Sequence, residues 1–131
     1  MNLKEGLAGR AELKVGEADS AQAMGSGALP VLATPRLVAL MEQAACAAIA
    51  PSLEAGQTSV GVWIEVEHLA ATPLGMQVSA QAVLERIEGR TLHFALGAAD
   101  ARETIGSGRH RRVLIDAARF MGKAEAKQGK A

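Results

Sequence analysis

An acid, a base and a hydroxyl stand out in this chain because each occupies a place where packing alone asks for something blander. His68 closes the run Val60-Gly-Val-Trp-Ile-Glu-Val-Glu-His68. Strict alternation over that run puts Val60, Val62, Ile64, Val66 and His68 on one strand face and Glu65 and Glu67 on the other, so an imidazole is aimed at the core. Glu42 interrupts an otherwise apolar helical segment, and Thr34 precedes Pro35 at that segment's entrance. A carboxylate among aliphatic neighbours can attack or accept a proton, an imidazole moves protons near neutral pH, and a hydroxyl can orient the carboxylate or a water. Taken singly, each has a plain structural role: a threonine before proline caps a helix, and a core histidine satisfies a hydrogen bond. Glu42 is harder to explain by packing, because buried unpaired acids are costly.

The elements that must position these groups follow from pattern and punctuation. Ala11 to Val15 can pair as a first strand, and Gly16 to Leu29 collects Gly, Ser, Ala and Asp without steady periodicity, which reads as a flexible loop. Thr34 as N-cap and Pro35 at the first helical position then start a helix that should end near Pro51. Its body, Arg36 to Ala50, is apolar nearly all round, the mark of a helix buried on most sides. Glu42 shares a stripe there with Val38, Ala45, Cys46 and Ile49, where desolvation raises a carboxyl pKa unless a partner such as His68 or Thr34 stabilises the charge. Met76, Val78, Ala80, Ala82 and Leu84 form one strand face, Glu88-Gly89 a turn, and Leu92, Phe94, Leu96 and Ala98 the next face. A last strand runs from about Glu103 to Ile115, with Gly106 and Gly108 marking a close approach by a backbone or a ligand.

Composition narrows the classes of function. The chain has 131 residues, 49% of them hydrophobic, enough for one domain with a true core and too few for two. Fourteen basic and 14 acidic residues cancel, leaving no global field for nucleic acid or an anionic membrane. Trp63, Phe94 and Phe120 are the only aromatic Phe, Trp or Tyr side chains, too few to stack successive bases. One cysteine, Cys46, permits no internal disulfide, and no apolar run suits a signal peptide or a membrane span, so a cytoplasmic protein is expected. His68, His93 and His110 share no short-spaced ligand motif, and neither a metal nor a redox cofactor is expected.

One long apolar helix followed by a twisted antiparallel sheet of about five strands has one economical packing, with the helix cradled in the concave face of the sheet. That α+β arrangement is the hot-dog fold. The expected domain covers residues 1–122, and the polar stretch 123–131 is expected to fray. An open edge strand and a partly open face favour a homodimer.

Three strings, ATPRLVALMEQAAC, VGVWIEVEHLAATPLGM and IGSGRHRRV, resemble hot-dog thioesterases of the fluoroacetyl-CoA thioesterase-like family. The similarity extends from about Ala33 to Ile115 and is most specific at His68, Ala70, Ala71, Thr72, Pro73 and Gly75. It implies a catalytic set of Thr34, Glu42 and His68, with acyl-CoA as substrate and coenzyme A present only as part of it. It also implies an oxyanion site at backbone N–H groups near Gly61, where a glycine lets a carbonyl approach the strand, and a pocket-shaping role for Arg112. Hydrolysis of a short or medium acyl thioester to free acid and thiol is the activity that follows, and an acyl carrier protein could replace coenzyme A as the carrier.

The family's fluoroacetyl specialist carries aromatic side chains before its threonine, whereas Gly25 to Pro30 carries none here, so strict fluoroacetyl selection is not expected. A binding module that keeps the fold without catalysis is the second reading, and a hydratase acting on an enoyl thioester the third. A mere binder has no need to desolvate two ionisable groups, and hydratases of this fold keep their acid and histidine in one segment. Arg109 and Arg111 suit a charged strand edge more than a phosphate site, His93 falls on the polar face, and Cys46 reads as small core filler.

Overall fold

Alternating apolar residues build a five-stranded antiparallel sheet in which every strand pairs with a neighbour of opposite direction. The structure, a computed structural model, describes residues 3–129. The strands are β1 (Ala8–Lys14), β2 (Gln57–His68), β3 (Gln77–Glu88), β4 (Thr91–Asp100) and β5 (Thr104–Asp116), in the spatial order β1-β3-β4-β5-β2. Val78, Ala80, Ala82 and Leu84 of β3 and Leu92, Phe94, Leu96 and Ala98 of β4 are buried, the two faces that alternation assigned. Gly89, at φ +60°, turns the chain between those strands.

Three α-helices, α1 (Ala21–Met24), α2 (Thr34–Ile49) and α3 (Ala117–Glu125), and three short 3-10 turns complete the described chain. Leu37, Leu40, Met41, Ala44, Ala45, Ala48 and Ile49 of α2 are buried and join the β3 and β4 face in one core. The helix is not buried on most sides, however. Val38 and Ala39 are half-buried, and Gln43, Cys46, Ala47 and Ala50 are exposed, so Cys46 is surface and not core filler. The sheet covers one side of α2, and an apolar composition all round leaves the other side bare.

Two further expectations change. The stretch Gly16 to Leu29 is stitched down: Ser20 is buried and caps α1 by accepting from Ala23 N–H at 3.0 Å, while Ala21 N–H reaches Val31 O at 2.8 Å. Ser and Asp in that segment supply local backbone partners, which a periodicity search does not register. The tail expected to fray from Lys123 continues α3 to Glu125 and turns through Ala126–Gln128 with its side chains exposed; residues 130 and 131 lie outside the described ones.

The alternation in β2 is also interrupted. Gly61 pairs with Arg112 and Trp63 with Arg111, so a β-bulge at Val62 shifts the register by one. Ile64, Val66 and His68 therefore share their face with Gly61 and Ser59. Val60 pairs with Val113 on the opposite face, and Val62 is 56% exposed, so neither belongs to the stripe that strict alternation gave them. Close approach at the last strand is real but made by protein: a Cβ on Gly106 would press on Leu37 and Met41 at 3.1 Å, and one on Gly108 would overlap the Glu65 carbonyl.

Gly9 is where β1 touches α2 backbone to backbone, since an added Cβ would overlap the Ala44 carbonyl oxygen and the Ala48 nitrogen. Gly9→Ala should therefore destabilise the fold by about 1–3 kcal/mol, the usual cost of overpacking. Urea unfolding checks this, and an unchanged midpoint would show that α2 is free to lift from β1.

Candidate active site

The entrance to α2 is set by backbone ties that leave the threonine side chain unused. Leu32 N–H bonds Thr72 O at 2.9 Å and Ala33 N–H bonds Asp19 O at 2.9 Å, while the Ala33 carbonyl accepts from Arg36 and Leu37. Ala33, with φ −72° and ψ 141°, is thus the N-cap, and Thr34 and Pro35 open the helix one residue earlier than expected. Relieved of capping, Thr34 Oγ1 lies 2.7 Å from His68 Nδ1 at the end of β2. Arg36, two residues on, binds Asp19 at 2.9 Å and fixes the same junction.

This pair lies in a cleft of about 330 Å³ whose lining includes Ala21, Ser26, Val31, Leu69 and Ala70. Small side chains predominate there, and α1 with the loop after it forms one wall. His68 Nε2 is buried and has no hydrogen-bond partner. Burial pushes the imidazole pKa below its usual 6.5, against a smaller opposing effect of the Ala70 backbone, so the neutral ring is favoured at physiological pH. A neutral imidazole bonded to a hydroxyl in the wall of a cleft is of the type that moves protons near neutral pH.

Glu42 stands elsewhere. It lies eight residues beyond Thr34, about 12 Å along the axis of α2, and its side chain is 40% exposed. Burial is therefore not what distinguishes it. Its Oε2 is 3.4 Å from Arg112 Nη1 and 3.9 Å from His110 Nε2. Arg112 is nearly buried and donates from Nε to Ser59 Oγ at 2.8 Å and from Nη2 to Ser59 O at 3.2 Å. Gly61 makes room for the group, because a Cβ there would stand 2.7 Å from Glu42 Oε2 and 3.2 Å from Arg112 Nη1. The structure thus joins Thr34 to His68 and joins Glu42 to Arg112 beside Gly61, as two clusters and not one.

Ser59 and His110 are the members that sequence reasoning passed over. The bulge at Val62 hid Ser59, since strict alternation sends it to the face opposite His68. His110 had a signal, because it alternates with Arg112 and is the one histidine with an arginine two residues away on the same face. Arg109 reaches Glu85 at 2.9 Å and Arg111 lies over the Trp63 ring at 4.3 Å, but β5 lies between β4 and β2 inside the sheet, so the two do not form the charged strand edge expected of them. His93 pairs with Glu88 at 2.8 Å.

Burial also lowers the pKa of His110, assisted by Arg112 and opposed by the Trp63 carbonyl and Glu42. His68 and His110 thus bind protons more readily in the unfolded chain than in the folded one, so stability falls as pH drops below about 6.5. Urea midpoints should decline between pH 7.5 and pH 5.5, and less so in a His68→Gln variant. A midpoint constant over that range would contradict the assignment.

Residues 15–118 match the family described as FlK, fluoroacetyl-CoA-specific thioesterase. The fluoroacetyl-CoA thioesterase of Streptantibioticus cattleyicolor is 44% identical over 97 residues, 74% of this chain and 70% of the relative. A solved structure of an FlK threonine-to-serine mutant in complex with acetyl-CoA is 34% identical, with a TM-score of 0.90 over 95% of this chain and 98% of that one. A Thermus thermophilus hypothetical protein described as a thioesterase superfamily member is 29% identical, with a TM-score of 0.90 over 98% of this chain and 96% of that one. The five-stranded sheet around a long helix is therefore a hot-dog thioesterase fold, and the chain belongs to the fluoroacetyl-CoA-specific thioesterase family.

Proposed function

We propose that the protein hydrolyses a short or medium acyl-CoA thioester to free acid and coenzyme A, with Thr34, Glu42 and His68 as the reacting set. The observation that carries this is His68 in the wall of a cleft lined by small side chains, with Nδ1 2.7 Å from Thr34 Oγ1. Thioester hydrolysis needs an attacking oxygen, a manager of its proton and a donor for the oxyanion. Glu42 attacks the carbonyl carbon or takes a proton from the attacking water. His68 serves proton transfer to the leaving sulfur, Thr34 fixes the ring, and the backbone near Gly61 with Arg112 stabilises developing charge. No aromatic side chain lies between Gly25 and Pro30 to close the cleft over a two-carbon acyl group, which favours longer chains than fluoroacetyl.

The working unit is a homodimer in this reading. All 12 residues of β2, at one edge of the sheet, are at least partly exposed, and the bare stripe of α2 is contiguous with Glu42. The chain exposes 7635 Å², about 1,100 Å² more than the roughly 6,500 Å² expected of a folded monomer of its mass. That excess is of the order one partner contributes to a standard interface. Antiparallel pairing of two β2 edges reverses one strand against the other, which brings the His68 end of one copy toward the Ser59 end of the next. Thr34 and His68 of one copy then face Glu42 and Arg112 of the other, and the two clusters become one site. No helix among the described residues is long and apolar enough to cross a membrane, and the reducing cytoplasm suits an exposed Cys46.

Thiol release from a panel of acyl-CoAs tests the activity, with sedimentation reporting the dimer. Turnover should be measurable on two- to eight-carbon chains and should fall at least about a hundredfold in folded Glu42→Gln and His68→Ala. Binding of acyl-CoA without turnover of any chain length would favour a ligand-binding module instead.

A further inference from the structure

His110 is the most deeply buried titratable side chain of the site, at 1% exposure, and the reaction as drawn gives it no role. Its partners define its state. Nδ1 lies 2.8 Å from the carbonyl oxygen of Trp63, the residue that follows the bulge, and a carbonyl can only accept. Nδ1 therefore carries the hydrogen. In the neutral ring that leaves Nε2 with a free lone pair, and Arg112 Nη1 sits 3.1 Å from it. The same Nη1 is the atom that reaches Glu42.

Arg112 is thereby held from two sides. Ser59 takes Nε and Nη2, and His110 takes Nη1, which fixes the plane of the guanidinium and its approach to the carboxylate. Phe94 of β4 flanks the imidazole, with ring centroids 6.1 Å apart, so the ring has little freedom to turn. The charged groups facing it are Glu42 from α2 and Arg112 from β5; β2 offers the Trp63 carbonyl, and β4 offers Phe94. A second proton on His110 would set two N–H groups against each other and push Nη1 away.

We propose that His110, as the Nδ1–H tautomer, is a positioning residue that holds Arg112 Nη1 at Glu42 and so aligns the carboxylate for attack. This rests on the thioesterase reading for its kinetic consequence but not for its structural one. A glutamine can present an acceptor near the place of Nε2, and a leucine cannot. His110→Leu should lower kcat by roughly ten- to a hundredfold with KM little changed, the expected result of a misplaced reacting group. His110→Gln should recover most of the loss, and in an Arg112→Gln background His110→Leu should cost less than about twofold more.

Nitrogen NMR on the unliganded protein reads the same proposal without substrate. The His110 ring should titrate as the Nδ1–H tautomer, and Arg112 guanidinium protons should exchange about tenfold faster in His110→Leu. Equal kcat losses in the glutamine and leucine variants, additive losses in the double variant, or unchanged Arg112 exchange would each overturn it. If the wild-type protein hydrolyses no thioester, the thioesterase reading fails alone, and the tautomer and exchange data still decide the role of His110.

Discussion

One side of α2 is buried against the sheet and the other is left bare, and the rest of the structure depends on how that helix is held. Leu37, Met41, Ala44, Ala45 and Ala48 lock it to the core, and Gly9 lets β1 approach its backbone without an intervening side chain. Burial on this scale, at about 25 cal/mol per Å² of apolar surface, far exceeds any single polar contact in the site. The polar groups are thus carried on a frame that they do not have to stabilise. Thr34 is offered to β2 because backbone ties cap the helix at Ala33, and Glu42 is offered at the rim because it sits where the buried face gives way to the bare one.

The two clusters differ in physical character. Thr34 and His68 form a short polar contact at a cleft with small walls, where burial favours the neutral imidazole. Glu42 and Arg112 form a charged pair at the edge of solvent, steadied from beneath by Ser59 and His110. Proton transfer benefits from the first environment and stabilisation of developing negative charge from the second. The reaction proposed above draws on both environments. The proposed dimer brings them together across the bare stripe of α2.

Much of the architecture was legible because period-two and apolar-helix patterns are strong where burial is complete. The buried faces of β3 and β4 and the end of the long helix near Pro51 follow directly from them. Thr34 and His68, 34 residues apart, enter one set through family resemblance, but the hydroxyl expected to orient Glu42 or a water bonds His68 instead. The burial expected of Glu42 does not hold, because apolar residues all round α2 suggest burial on every side while the sheet covers only one. The register before Trp63 was misjudged too, since one extra residue at Val62 reverses every side chain upstream of it. That reversal conceals Ser59, and with it the support beneath Arg112. Cys46 follows the same logic as Glu42: its neighbours in sequence are apolar, yet it lies on the uncovered side.

Mixing two inactive variants tests most directly whether the clusters work together across two copies. One chain would carry Thr34→Ala with His68→Ala, the other Glu42→Gln, and the two would be exchanged into hybrid dimers before thiol release is measured. Hybrid dimers with one intact composite site each should restore about a quarter of wild-type activity, the statistical share for random pairing. Hybrids that form and remain inactive, while each parent variant stays folded, would contradict a site shared between copies.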